Sequence, residues 1–409
     1  MAPAEATGLL EHLFRHQASR ITAHLTRLLG PSHLDAAEEA VQQAMLRAMQ
    51  TWPEHGAPAN PAGWLFRVAH NAAIDAIRKD RHSVELVEAL NISAASDSAD
   101  PDFEEQLRDD ELRLVFMCCH PAIPRETRVA LSLKIAAGFN VREIARALLT
   151  ADEAIAQRLV RAKRQIRDQR LTLDMPRGEE LAQRLDSALE VIYFLFNEGY
   201  TAHEGEDLIR TDLCAEALRL GQLIAGSSIS QPRVDALMAL MAFQAARLPA
   251  RTDAAGDLIL LEDQDRSRWD RQLVAAGFRY FDRSITGADV SEYHVQAAIA
   301  ATHARGIDWP VILDLYEELF ALNPSPVVAL NRAVAISRVR GALDALESIE
   351  SLDLPGYYLL LAVRGQLLLE LGRNTEAAAC FKDALNCRCS EPERRFLRRK
   401  IAESGRGSR

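Results

Sequence analysis

Glu153, Gln157, Arg158, Arg161, Lys163, Arg164 and Arg167 crowd into the stretch REIARALLTADEAIAQRLVRAKRQIR, residues 142–167. Amides and guanidiniums can pair with base edges, and cationic groups with phosphates. The chain carries a net charge of −10, so a cationic patch must be local. From Phe139 to Leu171 there are eight Lys/Arg against four Asp/Glu, a net of +4. That composition suits nucleic-acid contact, and it equally suits a solvated cationic surface helix.

Two short helices must position these groups. Val141, Ile144, Ala145 and Leu148 recur at helical spacing, and so do Ile155, Leu159, Ala162 and Ile166. Between them TADE reads as a capping box, with Thr150 accepting from the Glu153 amide. A helix ending near Leu148 and another starting at Ala151 form a helix-turn-helix pattern. Its outward groups are Glu153, Gln157, Val160, Arg161 and Arg164, with Arg158 on the flank.

Upstream, residues 8–82 read as a helical module. LDAAEEAVQQAMLRAMQTW predicts a helix with Ala37, Val41, Ala44, Met45 and Ala48 inward and Glu38, Glu39, Gln42 and Gln43 outward. PEHGAPANPAG predicts a loop that cannot continue it. WLFRVAHNAAIDAIRKDRH predicts another helix, with Leu65, Val68, Ala69, Ala72, Ile74 and Ile77 inward. Its outward groups include Arg67, His70, Asn71, Arg78, Lys79 and Arg81, while Trp64 reads as a packing residue. Residues 83–107, rich in Ser, Ala, Asp and Glu, predict an acidic linker.

AEEAVQQAMLRAMQTW, then NPAGWLFRVAHNAAIDAIRK, then RLVRAKRQIR, in that order, resemble regions 2.2, 2.3–2.4 and 4.2 of extracytoplasmic-function (ECF) sigma factors of the sigma-70 family. The resemblance covers roughly the first 172 residues. Leu149 departs from it, since many relatives have Gly in that turn. It implies a region 2 domain at 8–82, a linker at 83–107 that threads the polymerase, and a region 4 helix-turn-helix at 108–172. It assigns Glu38, Glu39, Gln42, Gln43 and Arg47 to core RNA polymerase. It assigns His55, Asn60, Arg67, His70, Asn71, Arg78, Lys79 and Arg81 to the −10 element of promoter DNA. The −35 element falls to Glu153, Gln157, Arg158, Arg161, Lys163, Arg164 and Arg167.

Residues 173–409 continue with helical spacing. Ala333, Ala345, Ile349 and Leu352 are separated by 12, 4 and 3, and Gly365, Ala377, Phe381 and Ala384 repeat those intervals 32 residues later. Small residues recurring in this way allow close helix pairing, as in tetratricopeptide (TPR) repeats. With YFLFNEGY, LLEDQDRSRWD and NPSPVVALNRAVA, the extension is similar to that of the ECF group with a TPR-containing C-terminus, which implies a peptide or protein ligand. LLEDQDRSRWD itself suits either a salt-bridged surface helix or a polar seam against the sigma domains.

The expected fold is therefore all-α. No run approaches the roughly 20 apolar residues of a membrane span, and MAPAEATGLLEHLFRHQASR does not read as a signal peptide, so a cytoplasmic location without membrane contact is expected. Cys118, Cys119, Cys214, Cys380, Cys387 and Cys389 form no CxxC pair, and they read as reduced, mostly buried thiols. HEGED at 203–207 has no second histidine in helical register, so no metal is expected, and no cofactor. GxxxxGK[ST], HExxH and GxSxG are all absent, so no enzyme is expected. The competing reading is a helix-turn-helix transcriptional regulator with a TPR-type partner domain, which would have no need of the 8–82 module.

Overall fold

The computed structural model describes residues 17–79, 101–148, 150–200, 209–287 and 289–406. Among these the fold is all-α, with one isolated bridge between Thr252 and Leu258. The chain divides into two compact units, 1–191 and 192–409.

In the first unit, helix 17–29 (α1) is followed by Leu34–His55 (α2) and Pro61–Lys79 (α3). Ala37, Ala40, Val41, Ala44 and Ala48 line one side of α2, and this small-residue stripe lets α3 approach with Leu65, Phe66, Ala69 and Ala73. Trp52 and Trp64 meet edge to face at 5.5 Å between the two helices. The helix α2 overruns the loop expected after Trp52 and continues through Pro53 to His55. In a last turn, Pro53 forfeits little beyond its own N–H bond. Gly56, at φ 81°, then ends the helix and donates to the Trp52 carbonyl.

Pro101–Cys118 (α4) begins inside the range expected to be linker. Proline is tolerated in a first helical turn, and the acids that follow it in PDFEE favour a helix N-terminus. Asp110 on α4 joins this helix to α1 through a buried network. Its carboxylate takes Arg27 Nε at 2.8 Å and sits 2.9 Å from His24 Nδ1. Beside it, Ser19 donates to Glu111 Oε1 at 3.2 Å.

Arg125–Ile135 (α5), Val141–Ala147 (α6) and Asp152–Asp168 (α7) follow. The stripe Ile155, Leu159, Ala162 and Ile166 is buried as its spacing requires, and each of the larger residues adds roughly 1.5–3 kcal/mol. The capping box lies one helix earlier than TADE. Asn140 accepts from the Glu143 amide at 2.9 Å, and Glu143 takes the Asn140 amide at 2.8 Å. Ala151 is the N-cap of α7 and supplies no side-chain bond. Thr150 sits one residue before that N-cap, its amide closing the previous turn on the Ala145 carbonyl at 2.9 Å.

The boundary between the units falls inside Gly178–Tyr200 (α8). Its first half belongs with unit one, where Arg128 donates to Ser187 at 2.8 Å and Arg125 pairs with Glu190 at 2.8 Å. In unit two come Thr211–Ala225 (α9), Pro232–Ala246 (α10), Arg271–Ser284 (α11), Glu292–Arg305 (α12) and Trp309–Leu322 (α13). Pro326–Val339 (α14), Ala342–Ser348 (α15), Tyr358–Glu370 (α16), Asn374–Leu385 (α17) and Glu391–Arg406 (α18) complete it.

The residues of the 32-residue repeat sit on packed helix pairs. Ala333, Ala345 and Ile349 share one buried cluster, while Ala377, Phe381 and Ala384 share the next. The substitutions between the copies compensate in size. Where the first has Ala333 and Ile349, the second has Gly365 and the larger Phe381, and a Cβ on Gly365 would lie 2.8 Å from the Phe381 ring.

Candidate nucleic-acid interface

The apolar stripe of α7 faces α5 and α6, which turns the opposite side of the helix to solvent. Glu153, Gln157, Arg161, Arg164 and Arg167 are exposed along it, together with Val160 at 67%. Arg161 Nε donates to the Gln157 carbonyl at 3.3 Å, and Arg164 pairs with Asp168 at 3.3 Å. Both are single-turn contacts on an exposed face, worth a few tenths of a kcal/mol, so neither holds its arginine firmly.

The flanks differ. Arg158 is half-buried and 3.2 Å from Glu126 on α5. Lys163 leaves the face altogether, donating to Asp35 Oδ1 at 2.7 Å and contacting Glu38 Oε2 as well. Burial disfavours its charge, but Glu38 and Asp35 outweigh that and hold the ammonium above its ordinary pKa. A residue predicted for the −35 element is thus paired with one predicted for the polymerase.

On α2 the predicted polymerase face is mostly open. Glu39, Gln42, Gln43 and Arg47 are exposed, and the apolar Leu46 and Met49 are 57% and 55% exposed beside them. Gln43 Nε2 reaches Glu39 at 3.3 Å. Glu38 is the exception, covered by Lys163. A cavity of about 190 Å³ lies next to it, among Ser19, Thr22, Glu38, Gln42 and Lys134.

The predicted −10 residues scatter. Arg67 and Asn71 are exposed on α3, and His55 is exposed at the end of α2 with its Nδ1 3.2 Å from the Thr51 carbonyl. Asn60 caps α3, its Oδ1 accepting from the Gly63 amide at 2.9 Å. His70 corrects its outward reading: it is 1% exposed and stacked on Phe66 with ring centroids 6.0 Å apart. The reason is long-range, since His24 of α1 also packs on Phe66 at 5.2 Å and α1 covers that side of α3. The side chains of Arg78 and Lys79, the whole of Arg81, the turn residue Leu149 and HEGED lie outside the described residues.

Cys118, Cys119, Cys214 and Cys389 are buried thiols, and Cys380 and Cys387 are half-buried. Burial pushes the Cys119 thiol up to about 11 and that of Cys214 to about 12, so neither is a ready nucleophile. Among the described residues no cluster of His, Cys, Asp and Glu could hold a metal ion, and no helix is long and apolar enough to cross a membrane.

Residues 13–83 match the family described as Sigma-70 region 2, and residues 184–285 match a family of unknown function, DUF6596. An uncharacterized protein of Rhizobium meliloti is 39% identical over 381 residues, covering 90% of each chain. The probable RNA polymerase sigma factor RfaY of Xanthomonas campestris is 32% identical over 37% of this chain and 36% of its own length. The ECF RNA polymerase sigma factor SigG of Mycobacterium tuberculosis is 26% identical over 42% of this chain and 53% of its own. No solved structure matches. Residues 13–83 are thus a Sigma-70 region 2 module and the N-terminal part is similar to parts of several sigma factors, while over nine-tenths of its length the chain belongs to one family with the uncharacterized Rhizobium protein.

Proposed function

We propose that the protein is an alternative sigma factor of the ECF type: it binds core RNA polymerase, recognises −35 and −10 promoter elements, and starts transcription in the cytoplasm. The observation that carries this reading is the Sigma-70 region 2 match over residues 13–83. A plain helix-turn-helix regulator has no use for that module.

The division of work follows from exposure. Glu39, Gln42, Gln43 and Arg47 meet the polymerase, with Leu46 and Met49 supplying apolar area. Gln157 and Arg161 read bases of the −35 element in the major groove, while Arg164 and Arg167 hold phosphates. Arg67 and Asn71 contact the −10 element, helped by Arg78, Lys79 and Arg81. Opening DNA requires bases to be captured out of the stack, which needs cations along the backbone and polar groups at base edges. The paired helices of 326–385 act as a TPR-like surface for a peptide or protein, and the extension supports transcription rather than only restraining it.

Co-purification tests the first step. Tagged full-length protein should retain core RNA polymerase through a salt wash that strips nonspecific polyanion binding, and the complex should protect both promoter elements from cleavage. Protection of the −35 element alone, by protein without polymerase, would favour the regulator reading instead.

A further inference from the structure

Within unit two, LLEDQDRSRWD forms two short 3-10 turns, Leu261–Asp263 and Arg266–Arg268, rather than the surface helix its composition allowed. Most of its acids are engaged locally. Glu262 pairs with Arg338 at 2.9 Å, Asp265 caps the Ser267 amide at 2.9 Å, and Asp270 caps Gln272 and Leu273 at 2.8 and 3.0 Å. Glu370 is also drawn to Arg338, at 3.6 Å.

What remains is a cluster of donors without a carboxylate partner. The guanidiniums of Arg247 and Arg266 lie 5.7 and 5.3 Å from the centre of the Trp269 ring. No ion pair engages either arginine among the described residues. Arg247 is held by its Nε bond to Gln264 Oε1 at 3.2 Å, and Gln264 is held in turn by the Ile259 carbonyl at 3.2 Å. Trp269 is 6% exposed and His303 is 9% exposed, yet Trp269 Nε1 and His303 Nδ1 have no hydrogen-bond partner. Burial together with Arg247 and Arg266 keeps His303 neutral, with a pKa lowered to about 4. In one tautomer its Nδ1 therefore donates without adding charge.

A buried donor left without a partner is costly, and the half-buried Arg247 has no carboxylate to offset its charge. Two such donors beside two cations make a lining that a neutral ligand cannot neutralise and a cation cannot enter. Oxyanions satisfy both demands at once. Arg266 is exposed, so the cluster opens to solvent on that side.

We propose that Arg247, Arg266, Trp269 and His303 form an anion-binding site in the C-terminal unit, for a ligand carrying a phosphate or carboxylate group. The site includes none of the residues assigned above to DNA or polymerase, so it stands whether or not the sigma reading does.

The test is calorimetry and thermal melting of the full-length protein with inorganic phosphate and, separately, with succinate, against chloride at matched ionic strength. Wild type should show saturable binding of at least one anion and a rise in melting temperature beyond the chloride control. The tighter of the two identifies the group. Arg266→Gln, at an exposed position, should weaken that binding about tenfold, and Trp269→Phe, which keeps the ring and removes the N–H, should do likewise. No saturable binding of either anion overturns the proposal, and so does Arg266→Gln binding like wild type. If Trp269→Phe melts abnormally without ligand, the Arg266→Gln result decides alone.

Discussion

Lys163 of α7 donates to Asp35 of α2 at 2.7 Å, which ties the predicted DNA-reading helix to the predicted polymerase-docking helix. Glu38 completes the pairing. For Lys163 to reach a phosphate, or Glu38 the polymerase, this contact has to open.

Asp35→Asn with Glu38→Gln removes both carboxylates while keeping side-chain size. Asp35 is 63% exposed, so its pairing should contribute less than about 1 kcal/mol, whereas Glu38 is 12% exposed and its loss, which strips Lys163 of a covered partner, should cost more. Binding of the full chain to a −35 duplex should tighten a few-fold at low salt, and the salt dependence should steepen by about one phosphate contact. Unchanged affinity and slope would mean that Lys163 never contacts DNA.

Arg158 and Arg161 should not behave alike. Arg161 is exposed, whereas Arg158 is half-buried against Glu126. Arg161→Ala should cost ~1–3 kcal/mol of promoter binding and relax preference at one base pair. The effect of Arg158→Ala should be smaller and spread over all sequences. Footprinting on a promoter series reads both, and equal losses without any change of preference would remove Arg161 from base reading.

Glu39→Lys reverses charge on the exposed face of α2 proposed to dock polymerase. The variant should fold normally, because an exposed mid-helix substitution usually shifts stability by no more than ~0.5 kcal/mol. It should nevertheless lose core polymerase in pull-down, where repulsion replaces attraction. Retention equal to wild type would clear Glu39 of that role.

His303 makes stability depend on pH. Its imidazole is ordinary when unfolded, near 6.5, and about 4 when folded. Between those values the unfolded chain binds the extra proton, so stability is fully present above about 6.5 and falls as pH drops toward 4. From pH 7 to pH 5 this amounts to roughly 2 kcal/mol. Denaturant unfolding of wild type and His303→Phe at both pH values should show a smaller pH effect in the variant. Equal pH effects would mean that His303 is not held neutral.

Much of unit one is legible from short-range periodicity. Ile155, Leu159, Ala162 and Ile166 mark their own burial, as do Ala37, Val41, Ala44 and Ala48. What escapes is set by partners far along the chain. Nothing near His70 announces that α1 covers its side of α3, and nothing near Asp110 announces His24 and Arg27. TADE has the composition of a capping box, yet 152–168 starts from Ala151 with no side-chain cap, while NVRE at 140–143 forms one for the helix before it. The cluster around Trp269 is gathered from the residue that caps the end of α10, from α12 and from a loop, so no single stretch of sequence contains it.

Run-off transcription with purified core RNA polymerase and the full-length protein on a library of random promoters reads sigma activity itself. Transcripts should need both components and share two spaced upstream elements, the −35 preference shifting in Arg161→Ala and the yield collapsing in Glu39→Lys. Transcription no greater than core polymerase alone, under conditions where a known sigma factor drives its own promoter, would contradict the sigma reading.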